Sequence, residues 1–436
     1  MSAPRLRFDT LKVKAGYDPK DHQHAVAVPI YQTASFDLED TARVDRLFSF
    51  QEEGWLYTRL ANPTVDVLER RVAALDGGAA AVAVASGMAA VSYTLLNLAE
   101  GGGRILTISR VYGGTFDAFQ KVLAPLGIGV DLVDDPDDPE SFRRALKPNT
   151  RGILIESISN PNAAVLDVEA IARIAHEFGI PLVVDNTFAT PYLFDSFRHG
   201  VDIVVYSATK ALNGHGNTIG GVIVENGKFD YGNGKFPHFQ QPTYLLRDRR
   251  TNEERSFLEA FPESPFTVRV RLNYLAYLGA ALGPFDAFLI LQGIETLSER
   301  VSKQVANAVK VVRFLETHPQ VAWVKHPTAQ GSRYAELAKK YLPRGAGAIF
   351  TFGLRGTEAQ YNRFIDSLKV FNFHANVGDA RSLVINTPKT THSELTPAEQ
   401  AHADITPDTI RLSIGIEDPR DLVADLRQAF RAAVRA

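Results

Sequence analysis

Between residues 80 and 207 the sequence alternates short apolar stretches with segments of helical pattern. The apolar stretches read AAVAVA, RILTIS, GVDLVD, GILIES, PLVVDN and DIVVYSA. Strands that are apolar on both faces need cover on both faces, which is typical of a parallel sheet lined by helices on each side. The alternation therefore predicts an α/β fold with a mostly parallel central sheet.

The segments on either side of this pattern predict two further parts of the chain. Residues 1–60 look like an irregular arm that is rich in turn formers. A helix is predicted to follow, with Asn62 as its N-cap and Pro63 as its first residue. We expect residues 61–264 to form the large α/β domain and residues 265–436 to form a smaller α+β domain.

The bulk composition excludes several classes of protein. The formal net charge is −3, so the chain has no basic bias toward nucleic acid. It has no cysteine, which excludes disulfides, thiolate metal sites and a cysteine nucleophile. Its first residues do not resemble a secretory leader, and no apolar run reaches the ~18 residues that span a membrane. We therefore expect a cytoplasmic protein with neither a nucleic-acid nor a membrane partner.

Polar side chains follow the carboxyl ends of the predicted strands. Because the carboxyl ends of parallel strands meet at one edge of a sheet, where such folds bind ligands, we expect these side chains to converge. Each has an ordinary explanation when taken alone, such as a helix N-cap or an ion pair at a sheet edge. The residues are Ser86, Gly87, Met88, Tyr112, Glu156, Asn160, Asp185, Thr187, Ser207, Thr209 and Lys210.

Taken together, these residues match the needs of one cofactor, pyridoxal 5′-phosphate. Its aldehyde requires an amine such as Lys210, with which it forms a Schiff base. Its pyridine nitrogen requires a carboxylate such as Asp185. Its phosphate requires a helix start with free N–H groups, as at Ser86 and Gly87. The ring of Tyr112 is suited to stack on the pyridine.

Six motifs, spread in order over nearly the whole chain, point to one family. They are YTRLANPT, ASGMAA, ESISNP, VVDNTFATP, SATK and IRLSIGIE. They resemble the Cys/Met-metabolism family of pyridoxal-phosphate enzymes, whose fold is that of aspartate aminotransferase (fold type I). Within that family, the stretches YLPRGAGAIFTF, NVGDARSLVI, TTHSELTPAEQ and LGPFDAFLILQGIETL resemble O-acetylhomoserine sulfhydrylases. The resemblance implies γ-replacement on O-acetyl-L-homoserine by sulfide or a small thiol, giving homocysteine or methionine together with acetate.

The resemblance also implies catalytic roles by position. Lys210 would be the Schiff-base lysine and the main proton shuttle, and Asp185 would hold the pyridine nitrogen. Tyr112 would stack on the ring and assist proton transfer. Further residues are implied in cofactor binding or substrate binding, and they are Ser86, Gly87, Met88, Asn160, Thr187, Ser207, Thr209, Asn376 and Val377.

Three more residues are implied at the two ends of the site. Arg411 would bind the substrate α-carboxylate, because its planar guanidinium makes a bidentate contact. Tyr57 and Arg59 would reach the phosphate in the neighbouring subunit, so the active site would need a dimer. The resemblance further implies a homotetramer built from two such dimers.

The sequence departs from the family pattern in one stretch. Many members have a serine, a leucine and two glycines where this chain reads Asn376–Asp379, and often an acidic residue near the place of Arg381. Residues 227–262 form a loop-rich aromatic insert, which we expect to lie on the surface and to border the entrance of the site. The pocket differences and this insert count against methionine γ-lyase and cystathionine γ-lyase. Cystathionine γ-synthase, O-succinylhomoserine sulfhydrylase and a γ-synthase with another nucleophile stay open as alternatives.

Three other classes of protein fit the sequence less well. A dinucleotide-dependent oxidoreductase would need a G-x-G-x-x-G turn after a strand, and EGGGR precedes a strand instead. A non-catalytic scaffold would not need the full set of Lys210, Asp185 and Arg411. A metal site is not expected, because no ligand spacing such as H-E-x-x-H is found at His215, His374, His392 and His402.

Overall fold

The structure is a computed structural model, which describes residues 6–160, 162–248, 251–390, 396, 400–401 and 403–434. The strands are β1 (Ala80–Val84), β2 (Arg104–Thr107), β3 (Gly129–Leu132), β4 (Thr150–Glu156), β5 (Leu182–Asp185), β6 (Ile203–Ser207), β7 (Gly221–Glu225), β8 (Val321–Lys325), β9 (Ile349–Leu354), β10 (Asn372–Phe373), β11 (Leu383–Asn386) and β12 (Thr409–Ser413).

The α-helices of the described residues in the first half of the chain are α1 (Phe8–Lys14), α2 (Thr41–Phe48), α3 (Pro63–Asp76), α4 (Gly87–Ala99), α5 (Gly113–Ala118), α6 (Pro139–Ala145), α7 (Val168–Glu177) and α8 (Thr190–Leu193). Those that follow are α9 (Pro237–Gln240), α10 (Phe257–Ala260), α11 (Pro265–Arg269), α12 (Ala276–Leu278), α13 (Pro284–Glu295), α14 (Leu297–Glu316), α15 (Ala335–Tyr341), α16 (Glu358–Ser367) and α17 (Pro419–Val434). Within the described residues, none of these helices is both long and apolar enough to cross a membrane.

The first sheet contains seven strands in the order β1-β7-β6-β5-β4-β2-β3. Strand β7 runs antiparallel to β1 and β6, whereas the other neighbouring pairs are parallel. Consecutive residues of β1, β4, β6 and β7 are buried almost without exception, and since they point to opposite faces, both faces of the sheet are covered. The predicted mostly parallel α/β sheet is confirmed.

The second sheet contains five strands in the order β10-β11-β12-β9-β8. Helices α14, α16 and α17 pack on this side of the molecule, and α16 lies directly against α17. The segment between the two sheets packs on the first sheet and its helices, because α11 contacts β1 and β7 and α13 contacts α3. The domain boundary at residue 265 stays a prediction.

The helix predicted after residue 61 begins at the residue that its N-cap and proline signals indicated. The Asn62 side chain accepts a hydrogen bond from the Thr64 N–H at 3.0 Å, and Pro63 is the first residue of α3. The arm before it is less irregular than expected, since it contains α1 and α2. Lys12 of α1 is buried and donates to the Ser298 hydroxyl at 2.6 Å, which fastens the arm to α14.

The aromatic insert does not lie wholly on the surface. Its side chains form a buried cluster in which the rings of Tyr231 and Phe239 have centroids 4.5 Å apart, and Phe236 and the neighbouring Phe266 join the same cluster. Burial of several aromatic rings is strongly favourable, so the insert is anchored in the core of the large domain.

Candidate active site

A cavity of about 270 Å³ opens at the carboxyl ends of the strands of the first sheet. It brings together all of the predicted cofactor and substrate residues except Tyr57 and Arg59. The residues that line it are Ser86, Gly87, Met88, Val91, Tyr112, Thr115, Glu156, Ile158, Asn160, Asp185, Thr187, Phe188, Ser207, Thr209, Lys210, Ile219, Ala375, Asn376, Val377 and Arg411.

Lys210 lies just beyond the end of β6, with its amine in the cavity. Its Nζ donates a hydrogen bond to Oδ1 of Asn376 at 2.7 Å. Burial, aided by the positive charge of Arg411, lowers the pKa of Lys210 to about 8. A sizeable fraction of this amine is therefore neutral, and nucleophilic, near neutral pH.

Two carboxyl groups lie at the same edge of the sheet. Asp185, at the end of β5, is buried, and burial raises its pKa. Its Oδ1 accepts a hydrogen bond from the Thr187 N–H at 3.0 Å, and hydrogen bonding to Thr187 partly offsets the effect of burial on the Asp185 pKa. Glu156, at the end of β4, accepts hydrogen bonds from the N–H groups of Tyr112 and Asn160, each at 2.7 Å.

The start of α4 forms a cradle beside Lys210. The Ser86 hydroxyl accepts the Ala89 N–H at 3.1 Å, so the expected N-cap is present, while the first N–H groups of the helix have no intrahelical acceptor. A Cβ at Gly87 would lie 2.6 Å from the Ser207 Cβ, so only glycine fits there. Such a helix start suits an anion.

The two predicted hydroxyl residues, Ser207 and Thr209, each form a hydrogen bond with a neighbouring segment. The Ser207 N–H donates to the Thr187 hydroxyl at 2.9 Å. The Thr209 hydroxyl accepts from the Gly220 N–H at 3.1 Å. Both contacts fix the chain at the end of β6 against the adjoining segments, and both residues line the cavity.

Arg411 of β12 reaches the cavity from the second sheet. Its guanidinium donates from Nη1 to Oδ1 of Asn160 at 3.1 Å and from Nη2 to the Asn376 carbonyl at 3.3 Å. Arg411 is buried, which lowers its pKa to about 10, and the ion pairs found among the described residues do not include it. A buried guanidinium without a carboxylate partner suits an anionic ligand group.

The remaining predicted site residues, Tyr112, Tyr57 and Arg59, lie at the mouth of the cavity or outside it. The Tyr112 ring stands at the rim, with 43% of the residue exposed. Tyr57 and Arg59 do not line this cavity, since the Arg59 guanidinium lies 5.0 Å from the Tyr57 ring centroid and its Nε donates to the Ala276 carbonyl at 3.0 Å. Their contact with a neighbouring subunit stays a prediction.

Sequence reasoning assigned no role to seven of the lining residues. Glu156 gave a usable signal, because it ends β4 at the same edge as the predicted site residues. Phe188 follows Thr187 directly, but the others are apolar or hydroxyl side chains that resemble ordinary core residues in the sequence. The seven are Val91, Thr115, Glu156, Ile158, Phe188, Ile219 and Ala375.

The histidines do not gather in this cavity. His215 lies near it in sequence, and its Nδ1 is 2.6 Å from the Asn213 carbonyl oxygen. His374 is exposed, and His392 and His402 lie outside the described residues.

A larger cavity, of about 500 Å³, lies away from this edge, between α1, α8 and α15. Among its charged side chains, Glu169 pairs with Lys340 and His199, whereas Asp195, Arg198 and Arg344 are in no ion pair found among the described residues. We place the chemistry in the smaller cavity, because it collects the predicted cofactor and substrate residues and an amine of lowered pKa.

The chain belongs to the family of Cys/Met metabolism PLP-dependent enzymes, whose family model matches residues 9–431. It is 44% identical over 434 residues to the O-acetyl-L-homoserine sulfhydrylase of Leptospira meyeri, covering 99% of this chain and 98% of that protein. It is also 43% identical over 429 residues to the homocysteine synthase of Schizosaccharomyces pombe, covering 98% of each.

A solved structure agrees with this assignment. The putative O-acetylhomoserine (thiol)-lyase of Campylobacter jejuni superposes with a TM-score of 0.93 at 38% identity, covering 98% of this chain and 100% of that one. That protein carries N′-pyridoxyl-lysine-5′-monophosphate.

The cavity of the present chain fits the family's cofactor. It offers one amine of lowered pKa, one buried carboxyl at the cavity wall, and a helix start at which glycine leaves room for a phosphate. The protein is accordingly a pyridoxal-phosphate-dependent enzyme.

Proposed function

We propose that this enzyme catalyses γ-replacement on O-acetyl-L-homoserine. Sulfide or a small thiol would displace acetate from Cγ, giving L-homocysteine, or methionine from methanethiol. The names of the curated relatives and of the solved structure support this substrate class. One observation in the cavity carries the amino-acid part of the proposal: buried Arg411 faces the same space as Lys210 and has no carboxylate partner among the described residues.

The geometry supports a division of labour among the residues. Bound pyridoxal phosphate supplies an electron sink for the substrate carbon atoms. Asp185 would face the pyridine nitrogen, and the start of α4 would hold the phosphate. Arg411 would bind the substrate α-carboxylate with its planar fork. These contacts would place the substrate Cα beside Lys210.

Lys210 would move the protons of the reaction. Its pKa of about 8 leaves part of the amine neutral near neutral pH, so it can accept a proton from Cα and return it later. The 2.7 Å hydrogen bond to Asn376 would aim the amine when it is not bonded to the cofactor. Tyr112, at the rim, would cover the ring and limit the access of water.

We also infer that two copies of the chain share their active sites. Arg59 contacts both the Tyr57 ring and the Ala276 carbonyl, Tyr277 and Leu278 follow Ala276 with exposed side chains, and Tyr277 hydrogen-bonds to exposed Tyr244. A cluster of exposed aromatic and aliphatic side chains is typical of a protein interface. A homotetramer of two such dimers is part of this proposal, and a cytoplasmic location stays a prediction.

A donor and nucleophile screen tests the activity. Purified enzyme is incubated with O-acetylhomoserine, O-succinylhomoserine or O-acetylserine, each with sulfide, methanethiol or cysteine, and the products are identified by mass spectrometry. We expect homocysteine from O-acetylhomoserine and sulfide. Turnover of O-succinylhomoserine alone would overturn the proposed donor, and cystathionine as the main product would favour a cystathionine γ-synthase.

The cofactor assignment has its own control. The purified protein should be yellow, and borohydride should alter its visible band. The variant Lys210→Ala should lack this borohydride-sensitive band, because no amine at that position could form the linkage. An unaltered band in that variant would mean that another group holds the cofactor.

A further inference from the structure

The segment that follows Lys210, Ala211–Gly216, carries no residue of the proposed reaction. We call it the post-lysine loop. Its backbone follows on from the turn that bears Lys210, since the Gly214 N–H donates to the Lys210 carbonyl at 2.7 Å. The carbonyl groups of this loop accept hydrogen bonds from elements far along the chain.

Arg300 of α14 holds the first half of the post-lysine loop. Its Nη1 donates to the Ala211 carbonyl at 3.0 Å, and its Nη2 donates to the carbonyls of Leu212 at 3.5 Å and Gly293 at 2.6 Å. Arg300 is 6% exposed and belongs to none of the ion pairs found within the described part of the chain. A Cβ at Gly214 would collide with its guanidinium, which explains the first glycine of NGHG.

A second loop, residues 376–381, holds the other half. We call it the Asn376 loop. The Ala380 N–H donates to the Gly214 carbonyl at 2.9 Å, and Arg381 Nη2 donates to the His215 carbonyl at 2.8 Å. A Cβ at Gly216 would lie 2.5 Å from Oδ2 of Asp379, which explains the second glycine of NGHG. The two loops therefore run side by side.

Gln304 of α14 holds the Asn376 loop in turn. Its Nε2 donates to the Asp379 carbonyl at 2.7 Å, and its side chain is buried. Arg300 and Gln304 are four residues apart, so they project from the same face of α14. One face of α14 therefore contacts both loops: Arg300 binds the post-lysine loop and Gln304 binds the Asn376 loop.

We propose that Arg300 and Gln304 are positioning residues, which hold the two loops in the register that lets Lys210 donate to Asn376. The proposal rests on the proposed function, in which Lys210 is the reactive amine. It assigns a task to the NGHG motif, whose glycines admit the Arg300 guanidinium and the Asp379 carboxylate. It also accounts for the departure from the family pattern at Asp379 and Arg381, which form a bidentate pair at 2.9 Å against this loop.

The register of the loops bears on the protonation of Lys210. Loosening the loops would admit water to the Lys210 amine, and burial is the main cause of its lowered pKa. The pKa of Lys210 would then rise toward its ordinary value. The ionisable side chains that share the cavity with it are Arg411, Asp185, Glu156 and Tyr112, and they stay unchanged in the variants proposed below.

The test compares three variants of α14. Arg300→Lys keeps the charge but lacks the planar fork that contacts three carbonyls, Gln304→Met keeps the volume but removes the donor, and the exposed Lys310→Gln is the matched control. Cofactor is stripped from the full-length protein with hydroxylamine. Trace acetylation with acetic anhydride, followed by mass spectrometry of the Lys210 peptide, then gives the neutral fraction of the amine against pH.

We expect the labelling midpoint of Lys210 to move upward by about 0.5 pH unit or more in Arg300→Lys and Gln304→Met, which lowers its labelling near pH 7.5 by about threefold. In the reconstituted enzymes kcat should fall by roughly tenfold with a smaller change in KM, because the Lys210 amine is misplaced while the substrate-binding residues are unchanged. Lys310→Gln should match wild type in both measurements.

Well-folded variants with wild-type labelling midpoints and wild-type kcat would overturn the proposal. If Arg300→Lys fails to fold, Gln304→Met and Arg381→Gln decide, since the Arg381 side chain is 55% exposed. Failure of all three to fold, with Lys310→Gln intact, would show a purely structural role and also overturn it. Failure of the proposed function is distinguishable, because wild type itself would then lack γ-replacement activity.

Discussion

Glu156 and Asp185 are register partners on the neighbouring parallel strands β4 and β5. Their carboxyl groups emerge at one edge of the sheet, where burial and the nearby Asp185 raise the pKa of Glu156. The two carboxyls have different neighbours: Asp185 lines the cavity and accepts the Thr187 N–H, whereas Glu156 accepts the N–H groups of Tyr112 and Asn160. Asp185 is therefore placed to contact a ligand, whereas Glu156 fixes the backbone of two segments that line the cavity.

Glu156→Gln should impair catalysis without abolishing the cofactor band. The amide keeps one acceptor oxygen but sets its NH₂ against a backbone N–H, so one of the contacts to Tyr112 and Asn160 is lost. We expect kcat/KM for O-acetylhomoserine to fall by roughly tenfold or more. Steady-state kinetics measure this, with the exposed Glu177→Gln as control. Wild-type kinetics in Glu156→Gln would show that these two contacts do not matter.

Arg411→Lys should weaken substrate binding more than turnover. A lysine cannot contact Asn160, the Asn376 carbonyl and a carboxylate with the geometry of a planar fork. We expect KM to rise by roughly tenfold to a hundredfold, with a smaller change in kcat. The control is Arg420→Lys, on an exposed side chain that pairs with Asp418. An unchanged KM would place the carboxylate elsewhere in the cavity.

Gly87→Ala should weaken the cofactor itself. The new methyl group would press against Ser207 at the start of α4 and displace one wall of the phosphate cradle. Overpacking of this kind costs about 1–3 kcal/mol, so the dissociation constant of pyridoxal phosphate should rise by roughly tenfold to a hundredfold. Titration of the stripped protein at the visible band measures it. Exposed Gly232→Ala should bind as wild type does, and equal affinities of both variants would contradict the cradle.

Mixing two inactive variants tests the shared site. If Arg59 serves the neighbouring subunit, a hybrid of Lys210→Ala and Arg59→Ala contains one intact site. Random mixing after reversible dissociation should then restore roughly a quarter of wild-type activity. Mixing Lys210→Ala with Asp185→Ala, whose side chains line one cavity of one chain, should restore none. No recovery with Arg59→Ala, despite proven subunit exchange, would contradict shared sites.

Asp76 should make the enzyme less stable as the pH rises. Burial raises the pKa of Asp76 to about 8 from 3.8, although the Tyr206 hydroxyl donates to it at 2.6 Å. Between these two values the folded protein holds a proton that the unfolded chain has lost. The stability linked to Asp76 is therefore complete below 3.8 and is lost as the pH rises through about 8.

Asp76→Asn removes this dependence, since the amide does not titrate. Relative to the variant, wild type should lose about 2 kcal/mol of unfolding free energy between pH 6 and pH 8, since the slope of about 1.4 kcal/mol per pH unit halves as the pH reaches the folded pKa. Urea unfolding at the two pH values measures it, and exposed Asp366→Asn should show no such change relative to wild type. Parallel behaviour of wild type and Asp76→Asn would mean that Asp76 stays ionised in the folded protein.

The sequence by itself determined the fold class and most of the cavity wall. Periodicity is local, so the alternation of apolar stretches and helical segments predicted the parallel sheet. The end of each strand then located Asp185 and Lys210, because parallel strands share their carboxyl edge. The helix start at Gly87 was predictable for the same reason, from residues that are adjacent in the chain.

Only the tertiary structure decided how distant segments meet at this edge. Arg411 and Asn160 are 251 residues apart, yet they form one hydrogen bond. The grip of Arg300 on the post-lysine loop likewise depends on how α14 packs. Such contacts follow from the register and packing of elements whose separation along the chain leaves no periodic signal. The position of Lys210 at the end of its strand is thus a local property of the sequence, whereas its contact with Asn376 and its lowered pKa are properties of the packed molecule.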